Sequence, residues 1–194
     1  FVFHVGGDQW YKNRSGVVAA YSAYIRQGVA ASSESFRPVP LVLVGTEPSS
    51  SLAEAIEAVP SPGCVFVGVD VSFEFLRSLY SLASLLFFPS LAEGFGWPIA
   101  EAMACGCLVL TTNAAPMSEV GGNAAEYCGS MPVTGLVEQS EWAARLGGQL
   151  TDMLDWSDEK RVERVEAGLL DARRFDREKT LDAYAEVYAK LGRN

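Results

Sequence analysis

Short apolar runs alternate with helix-length amphipathic segments along the first 111 residues of the chain. The apolar runs, which predict strands, are residues 1–6, 41–45, 64–68, 85–89 and 108–111, and the predicted helices between them are residues 15–31, 51–58, 72–83 and 98–105. Residues 41–44 are apolar at every position, which is typical of a central parallel strand covered by helices on both faces. These repeated strand and helix units predict an α/β fold built on a doubly wound parallel sheet.

The pattern changes after the fifth predicted strand, which we expect a turn to follow. A short strand is predicted at residues 125–128, and amphipathic helices are predicted at residues 137–155, 158–173 and 177–191. The last helix carries an apolar stripe at helical spacing, formed by Leu181, Tyr184, Val187, Tyr188 and Leu191. We expect this stripe to pack against the sheet or against a missing partner.

The domain organisation follows from these elements. We interpret residues 1–194 as one domain, with a core over residues 1–175 and a C-terminal helix over residues 176–194. The polar stretch at residues 31–37 predicts a surface loop. Because the chain begins inside an apolar strand without Met, we expect it to be a fragment of a longer protein.

Net charge narrows the classes of ligand. The formal charge of the 194 residues is −9, whereas proteins that bind nucleic-acid backbones need a basic surface to displace counterions. We therefore expect no nucleic-acid partner. A small anion remains possible where backbone amides and one or two cations converge.

The cysteines and the hydropathy suggest a compartment. The chain has 4 cysteines, none in a Cys-x-x-Cys pair, and we expect buried free thiols in a reducing cytosol. No apolar run reaches the roughly 20 residues that cross a bilayer. The single histidine, His4, lies in the middle of a predicted strand, where we expect a satisfied core or strand-edge role rather than a catalytic base.

The segment that carries chemistry is residues 89–106, which follows a strand and opens a helix. Pro98 suits the first helical turn, and Gly106 suits the position just past the helix end. Gly94 and Gly96 leave the loop backbone uncovered, so we expect free amides between Gly94 and Ile99 to converge at the positive end of the helix dipole. This arrangement suits a phosphate group.

Two carboxylates flank these amides. Glu93 lies just before the helix and Glu101 lies inside it. Carboxylates accept hydrogen bonds from hydroxyl groups, and a ligand with hydroxyls on both sides of a diphosphate is a nucleotide sugar. The residues alone leave a second interpretation open, in which Glu93 caps the helix and Glu101 is a solvated helix residue.

The string EGFGWPIAEAMACG, which contains Glu93 and Glu101, resembles the E-x7-E signature of the family-four retaining glycosyltransferases (glycosyl transferases group 1). Other segments follow the order of that family, and the resemblance spans about residues 2–188. It implies a Rossmann-like sheet that forms the carboxy-terminal, donor-binding half of a two-domain GT-B architecture. It also implies that an amino-terminal acceptor domain is missing from this chain.

The resemblance also assigns roles to the motif residues. It implies that Glu93 is the catalytic-site residue that contacts the donor hexose and that Glu101 contacts the ribose. Gly94, Phe95 and Gly96 would lie along the phosphates and the sugar. Trp97, next in the chain, would either cover the sugar or staple the start of the helix.

The family uses a basic pair after the first strand, and this chain departs from that pattern. Lys12 fits the position of the family lysine, but Gly7 stands where the family has an arginine. Arg14 is the nearest arginine. It would reach the same phosphates from the start of the first helix or serve on the surface, and both alternatives are open.

The function that the resemblance implies is retaining transfer of a hexosyl group from a UDP- or GDP-linked donor to a glycan or lipid-linked acceptor. It implies cytoplasmic polysaccharide assembly in bacteria and allows peripheral association with the inner face of the membrane. We expect no cofactor and no metal, because the sequence has no aspartate-rich loop near the phosphates and the helix amides with Lys12 can neutralise them. We expect the isolated chain to be inactive. A degenerate nucleotide-sugar-binding module is the alternative, since Gly7 supplies no cation.

A dinucleotide-dependent oxidoreductase is the other fold-level candidate, and it needs G-x-G-x-x-G after the first strand. The residues found there are GGDQWY, which fail the pattern.

Overall fold

The computed structural model describes residues 1–31 and 36–191 and contains one sheet of six parallel strands. The strands are β1 (Val2–Val5), β2 (Leu41–Gly45), β3 (Val65–Val69), β4 (Leu85–Phe88), β5 (Val109–Thr112) and β6 (Glu126–Cys128). Their spatial order is β3-β2-β1-β4-β5-β6. The predicted doubly wound, Rossmann-like sheet is therefore confirmed.

Eight α-helices are described within residues 1–31 and 36–191, together with two short 3₁₀ segments at Trp10–Lys12 and Arg173–Phe175. The helices are α1 (Arg14–Ala31), α2 (Ser50–Glu57), α3 (Phe73–Leu82), α4 (Trp97–Ala104), α5 (Met117–Gly121), α6 (Leu136–Leu154), α7 (Asp158–Ala172) and α8 (Arg177–Leu191). Each helix that was predicted from the apolar periodicity is present.

The core lies in two layers, one on each face of the sheet. Leu85 and Phe87 of β4 pack with α1, α2 and α6 on one face. Leu86 and Phe88 of the same strand pack with α3, α4 and α5 on the other. This alternation explains why β4 is apolar at every position, because both of its faces are covered.

The structure corrects two expectations, and two short segments cannot be compared. Residues 117–121 form α5, where we predicted only a turn, because a helix of five residues is too short to show a periodic pattern. Cys64 is exposed, although Cys107 and Cys128 are buried as expected and all four thiols are free. Residues 32–35 of the predicted surface loop and residues 192–194 of the predicted C-terminal helix lie outside the described residues.

Helix α8 does not pack against the sheet. None of its residues is buried, and its apolar stripe is exposed, from 49% at Leu181 to 73% at Tyr188. The sheet-packing alternative for this stripe is therefore wrong. No described helix combines the length and the apolar character that crossing a bilayer requires.

The sheet reverses its direction of growth between β1 and β4. The chain runs outward from β1 to β3, returns to β4 beside β1, and then runs outward to β6. The loops after β1 and β4 therefore leave the same edge and diverge, which opens a crevice at the carboxyl ends of these strands. Ligands of open α/β sheets bind at this kind of position.

Close backbone contact shapes one side of this edge. The Gly6 amide, just after β1, donates to the carbonyl of Val44 at 2.9 Å. A Cβ atom on Gly45 would lie 2.0 Å from the Gly6 carbonyl oxygen. Glycine at position 45 is therefore required by space.

We expect Gly45→Ala to lower the free energy of unfolding by about 3 kcal/mol, because the new methyl group forces the ends of β1 and β2 apart. Urea unfolding followed by circular dichroism measures this change. Gly94→Ala is the matched control, since a Cβ atom there meets no described atom within 4 Å, and its expected change is below about 0.5 kcal/mol. Equal stability of the two variants would contradict the proposed close contact.

Candidate functional site

Two hydrogen bonds to backbone carbonyls join the loops after β1 and β4. Asn13 donates from Nδ2 to the carbonyl of Pro89 at 2.9 Å, and the amide of Leu91 donates to the carbonyl of Tyr11 at 2.7 Å. Asn13 has a φ of 55°, a left-handed conformation that asparagine tolerates better than most residues. The two contacts hold residues 11–13 against the start of the glycine-rich loop.

This junction places Lys12 beside Glu93. The Lys12 Nζ lies 2.8 Å from Oε1 and 2.9 Å from Oε2 of Glu93. The side chains are only 17% and 7% exposed, respectively. Ser90 donates a third hydrogen bond to Glu93 Oε1 at 2.6 Å. Because the carboxylate is bonded to Lys12 and Ser90, the structure gives no support to a helix-capping role for Glu93.

The Lys12 and Glu93 side chains keep unused hydrogen-bonding capacity. Glu93 Oε1 accepts two hydrogen bonds and Oε2 accepts one, so Oε2 retains room for a ligand hydroxyl. An ammonium group carries three N–H donors, and Lys12 uses two of them on Glu93. One donor therefore remains for an anion.

The glycine-rich loop leads into helix α4. Gly96 has a φ of 96°, which favours glycine, and it is the residue that precedes the helix. Within the described residues, no recorded hydrogen bond engages the amides of Gly94, Phe95 or Gly96. The amide of Ile99 donates to the carbonyl of Gly96 at 3.0 Å, so the expected set of free amides ends before Ile99.

Pro98 and Gly106 occupy the predicted helix-boundary positions. Pro98 lies in the first turn of α4, and Gly106 follows its end with a φ of 73°. The unbonded loop amides therefore lie at the positive end of the α4 dipole.

Glu101 lies within α4 and is held by a neighbouring helix. Tyr80 of α3 donates from its hydroxyl to Glu101 Oε2 at 2.8 Å. Tyr80 is 2% exposed, and Glu101 is half-buried. Burial, reinforced by the Glu101 carboxylate, raises the pKa of the Tyr80 hydroxyl. Glu101 is therefore not the freely solvated helix residue of the alternative interpretation.

Phe95 and Trp97 form an aromatic cluster beside this loop. Their ring centroids are 4.5 Å apart, and Phe175 packs edge-on against Phe95 at 5.6 Å. Trp97 remains 58% exposed. Phe95 thus packs against both Trp97 and Phe175, and the Trp97 ring remains exposed to solvent next to the loop.

Arg14 is buried, which decides one of its two alternatives. It is 4% exposed, which excludes the surface role. Its Nη1 donates to the carbonyl of Thr46 at 3.0 Å and lies 3.7 Å from Asp8 Oδ1. Nε and Nη2 have no partner among the described residues, and burial lowers the pKa of the guanidinium. Its recorded contacts lead to the loops after β1 and β2, whereas Lys12 reaches Glu93.

His4 is buried in the core of the sheet, not at a strand edge. Its Nδ1 lies 2.9 Å from the carbonyl of Phe87 and therefore donates to it, because a carbonyl only accepts. Nε2 is buried without a described partner. Burial lowers the pKa of His4 to about 4. The ring is therefore neutral near pH 7. The expected core position is present, but the expectation of a satisfied ring is wrong for Nε2.

Sequence reasoning missed the roles of Ser90, Tyr80 and Asn13. Ser90 follows the apolar run of β4 after Pro89, and a polar residue at that position was an available signal. Asn13 lies eight residues after the end of β1 and gave no such signal. Tyr80 gave no signal, because it belongs to an amphipathic helix and its partner is 21 positions away. Within residues 1–31 and 36–191, no group of three or more His, Cys, Asp or Glu side chains is arranged to hold a metal ion.

Comparison with known proteins gives consistent matches. The family model described as glycosyl transferases group 1 matches residues 2–152. The O-antigen chain mannosyltransferase B of Escherichia coli is 31% identical over 126 residues, which are 64% of this chain and 31% of that protein. The serotype-specific mannosyltransferase WbdA of Escherichia coli is 51% identical over 47 residues, which are 24% of this chain and 6% of that protein.

Among solved structures, the pneumococcal O-GlcNAc transferase GtfA, crystallised with UDP and GlcNAc, superposes with a TM-score of 0.74 at 13% identity. The match covers 100% of this chain and 36% of that one. This similarity concerns the fold, which is that of the GT-B glycosyltransferases. The chain spans about a third of the length of the O-antigen mannosyltransferase and of GtfA.

The single histidine allows a direct test of its environment. We expect its imidazole proton resonance to titrate near pH 4 in the folded protein and near 6.5 in urea. The unfolded state then binds more protons between these values, so stability falls as the pH drops from 6.5 to 4, by about 3 kcal/mol from His4. Proton NMR and urea unfolding at several pH values measure both effects.

His4→Phe is the matched control, because it keeps a ring of similar size and removes the titrating group. Its unfolding free energy should lack this part of the pH dependence. A folded-state titration near pH 6.5 would show that His4 is accessible to solvent.

Proposed function

The chain belongs to the glycosyl transferases group 1 family, and we propose that it binds the nucleotide-sugar donor of a retaining hexosyltransferase at the carboxyl edge of β1 and β4. The observation that carries the proposal is the contact of Lys12 Nζ with both carboxylate oxygens of Glu93. It joins a cation suited to a diphosphate to an acceptor suited to sugar hydroxyls. Neither group alone would indicate this ligand.

The diphosphate would lie between Lys12 and the amides of Gly94, Phe95 and Gly96. The remaining N–H donor of Lys12 and these amides offer positive groups from two sides. The open space at Gly94 allows a ligand to approach the backbone closely. Arg14 is a second cation, with two nitrogens that have no partner among the described residues, and it would supply charge to the same edge through a shift of the loop after β1.

The hexose would contact Glu93 and the ribose would contact Glu101. Glu93 Oε2 and Glu101 Oε1 are the carboxylate oxygens with most remaining capacity to accept hydrogen bonds. Trp97 would cover the sugar with its exposed ring. The names of the Escherichia coli relatives favour mannose as the hexose.

Glu93 would orient the sugar rather than attack it. A carboxylate that accepts hydrogen bonds from Lys12 and Ser90 has its charge engaged by them, which makes it a poor nucleophile. Retention would then come from departure of the nucleoside diphosphate and entry of the acceptor on the same face. Lys12 and the loop amides would stabilise the charge of the leaving group.

The acceptor would bind outside this chain, since the chain spans about a third of the O-antigen mannosyltransferase. We propose a glycan or lipid-linked acceptor held by a further domain, with the reaction in the cytoplasm or at the inner face of the membrane. The isolated chain would bind the donor without transferring the sugar.

A second candidate is a binding module that senses a nucleotide sugar without transferring it. It is favoured by Gly7, which carries no cation where the resemblance calls for arginine. Sugar transfer by a longer protein that contains this chain, measured with a mannosyl donor and lipid-linked acceptors, would exclude it.

Donor binding is tested by calorimetric titration of this chain with UDP, GDP, ADP and their sugar conjugates. We expect one nucleoside diphosphate to bind selectively. Lys12→Ala should lower its affinity about 10- to 100-fold and Glu101→Ala about 10-fold, since each substitution removes a charge-assisted hydrogen bond to the ligand.

Lys190→Ala and Glu186→Ala are the matched charge controls, because both side chains are exposed on α8. Neither should alter affinity. If the control variants lose as much affinity as the site variants, the effect comes from net charge alone. If the chain binds no nucleotide, the proposed donor site is contradicted.

Donor binding should also be independent of divalent metal, because helix amides and Lys12 are proposed to neutralise the diphosphate. The measurement repeats the titration with EDTA and with Mg²⁺, and the two dissociation constants should agree within about twofold. Binding that requires Mg²⁺ would contradict this assignment of the neutralising charge.

A further inference from the structure

The hydroxyl of Tyr80 is the described donor to the carboxylate of Glu101, across the gap between α3 and α4. We propose that Tyr80 is a positioning residue for ribose recognition, which fixes Glu101 so that its Oε1 meets the ribose hydroxyls. This inference rests on the proposed function, because it assigns a support to the residue that would contact the ribose. It adds a residue of α3 to a site otherwise formed by the loops after β1 and β4 and by α4.

The ring of Tyr80 is held rigidly. It is 2% exposed and packs edge-on against Phe3 of β1, with ring centroids 5.1 Å apart and planes at 82°. The surrounding core includes Leu86 and Ile99. A ring fixed in this way carries its hydroxyl to one place, so the hydrogen bond to Glu101 is set by the core of the sheet and not by a mobile side chain.

The protonation states of the pair are also fixed. Burial and the adjacent carboxylate raise the pKa of Tyr80, so the hydroxyl keeps its proton and acts as the donor. The donation leaves Glu101 as acceptor, with Oε2 occupied. Among the described residues no hydrogen bond to Glu101 Oε1 is recorded, and this oxygen remains to accept from a ligand.

Fixing one carboxylate oxygen restricts the side-chain torsions of Glu101 before the ligand arrives. A free glutamate on a helix surface samples several rotamers, and a ligand that binds it must select one of them. Tyr80 removes that selection step, which is pre-organisation of the binding group. The contact should therefore increase affinity only for ligands whose hydroxyls reach Glu101.

This restriction separates positioning from a purely structural role. If the Tyr80 hydroxyl only stabilised the packing of α3 on α4, its loss would affect all nucleotides equally. If the hydroxyl positions Glu101, its loss lowers the affinity for ribonucleotides and leaves the affinity for 2′,3′-dideoxynucleotides unchanged. Tyr80→Phe keeps the ring in contact with Phe3 and removes only the hydroxyl.

The experiment titrates wild type, Tyr80→Phe and Glu101→Gln with the tightest binder among UDP, GDP and ADP and with its 2′,3′-dideoxy form. For wild type we expect the ribonucleotide to bind about tenfold more tightly than the dideoxynucleotide. Tyr80→Phe should weaken the ribonucleotide about fivefold and change the dideoxynucleotide less than twofold. Glu101→Gln should likewise act on the ribonucleotide alone.

Tyr24→Phe is the matched control. Tyr24 is 3% exposed on α1, and its hydroxyl accepts a hydrogen bond from the amide of Val39 at 3.1 Å, on the opposite face of the sheet. This variant also loses a buried hydroxyl group, and it should bind both nucleotides as wild type does. Urea unfolding of each variant verifies that the binding experiments use folded protein.

The outcomes distinguish the inference from its premise. If Tyr80→Phe weakens the binding of both nucleotides equally, or of neither, the positioning role is overturned. The ribose site itself still stands in that case, provided that wild type prefers the ribonucleotide and Glu101→Gln loses this preference. A wild type that binds both nucleotides equally overturns the ribose role of Glu101 and the inference together. Failure of wild type to bind any nucleotide overturns the proposed function itself.

Discussion

The joining of the loops after β1 and β4 is the constraint on which the candidate site depends. Parallel pairing of β1 with β4 brings both loops to one edge, but pairing alone leaves their paths open. The buried hydrogen bond from Asn13 to the carbonyl of Pro89 removes that freedom. The backbone hydrogen bond from Leu91 to Tyr11 adds a second link, two residues earlier in the first loop and two residues later in the second. Lys12 lies between these contacts. Its position beside Glu93, which is 81 residues away in the sequence, follows from them.

From this junction the site acquires a regular arrangement of donors and acceptors. Each glutamate is held on one side by a hydroxyl of the protein, Glu93 by Ser90 and Glu101 by Tyr80. Each keeps further capacity to accept hydrogen bonds, and the open loop amides lie between them in the sequence. Two fixed acceptors with donors between them match a ligand that has hydroxyl groups at both ends and negative charge in the middle. The net charge of −9 does not oppose such a ligand, because Lys12 and the unbonded loop amides place positive groups locally at this edge.

The sequence predicted what depends on local pattern and missed what depends on packing between elements. The strands were predictable because burial on both faces requires a continuous apolar run, and α4 because Pro98 and Gly106 mark its ends. The contact of Tyr80 with Glu101 was not predictable, since it arises only when α3 packs beside α4. The stripe on α8 shows the same limit: periodicity identifies an apolar face and carries no information about what covers it, and in this structure the sheet does not.

The free-energy cost of burying unpaired polar groups near the carboxyl edge of β1 supports a ligand-binding role for that edge. Five buried side-chain nitrogen and oxygen atoms have no hydrogen-bond partner among the described residues, and three of them are His4 Nε2 and the Nε and Nη2 of Arg14. Each such atom costs about 1–3 kcal/mol relative to a satisfied one. His4 belongs to β1 and Arg14 is the first residue of α1, so the two residues flank the loop that carries Lys12. An apolar residue at either position would avoid the cost, and local violations of this kind are expected where residues serve a ligand instead of the fold. The N–H groups of Arg14 that lack a described partner are therefore a second source of positive charge beside the loops after β1 and β2, at the carboxyl edge where a diphosphate is proposed to bind.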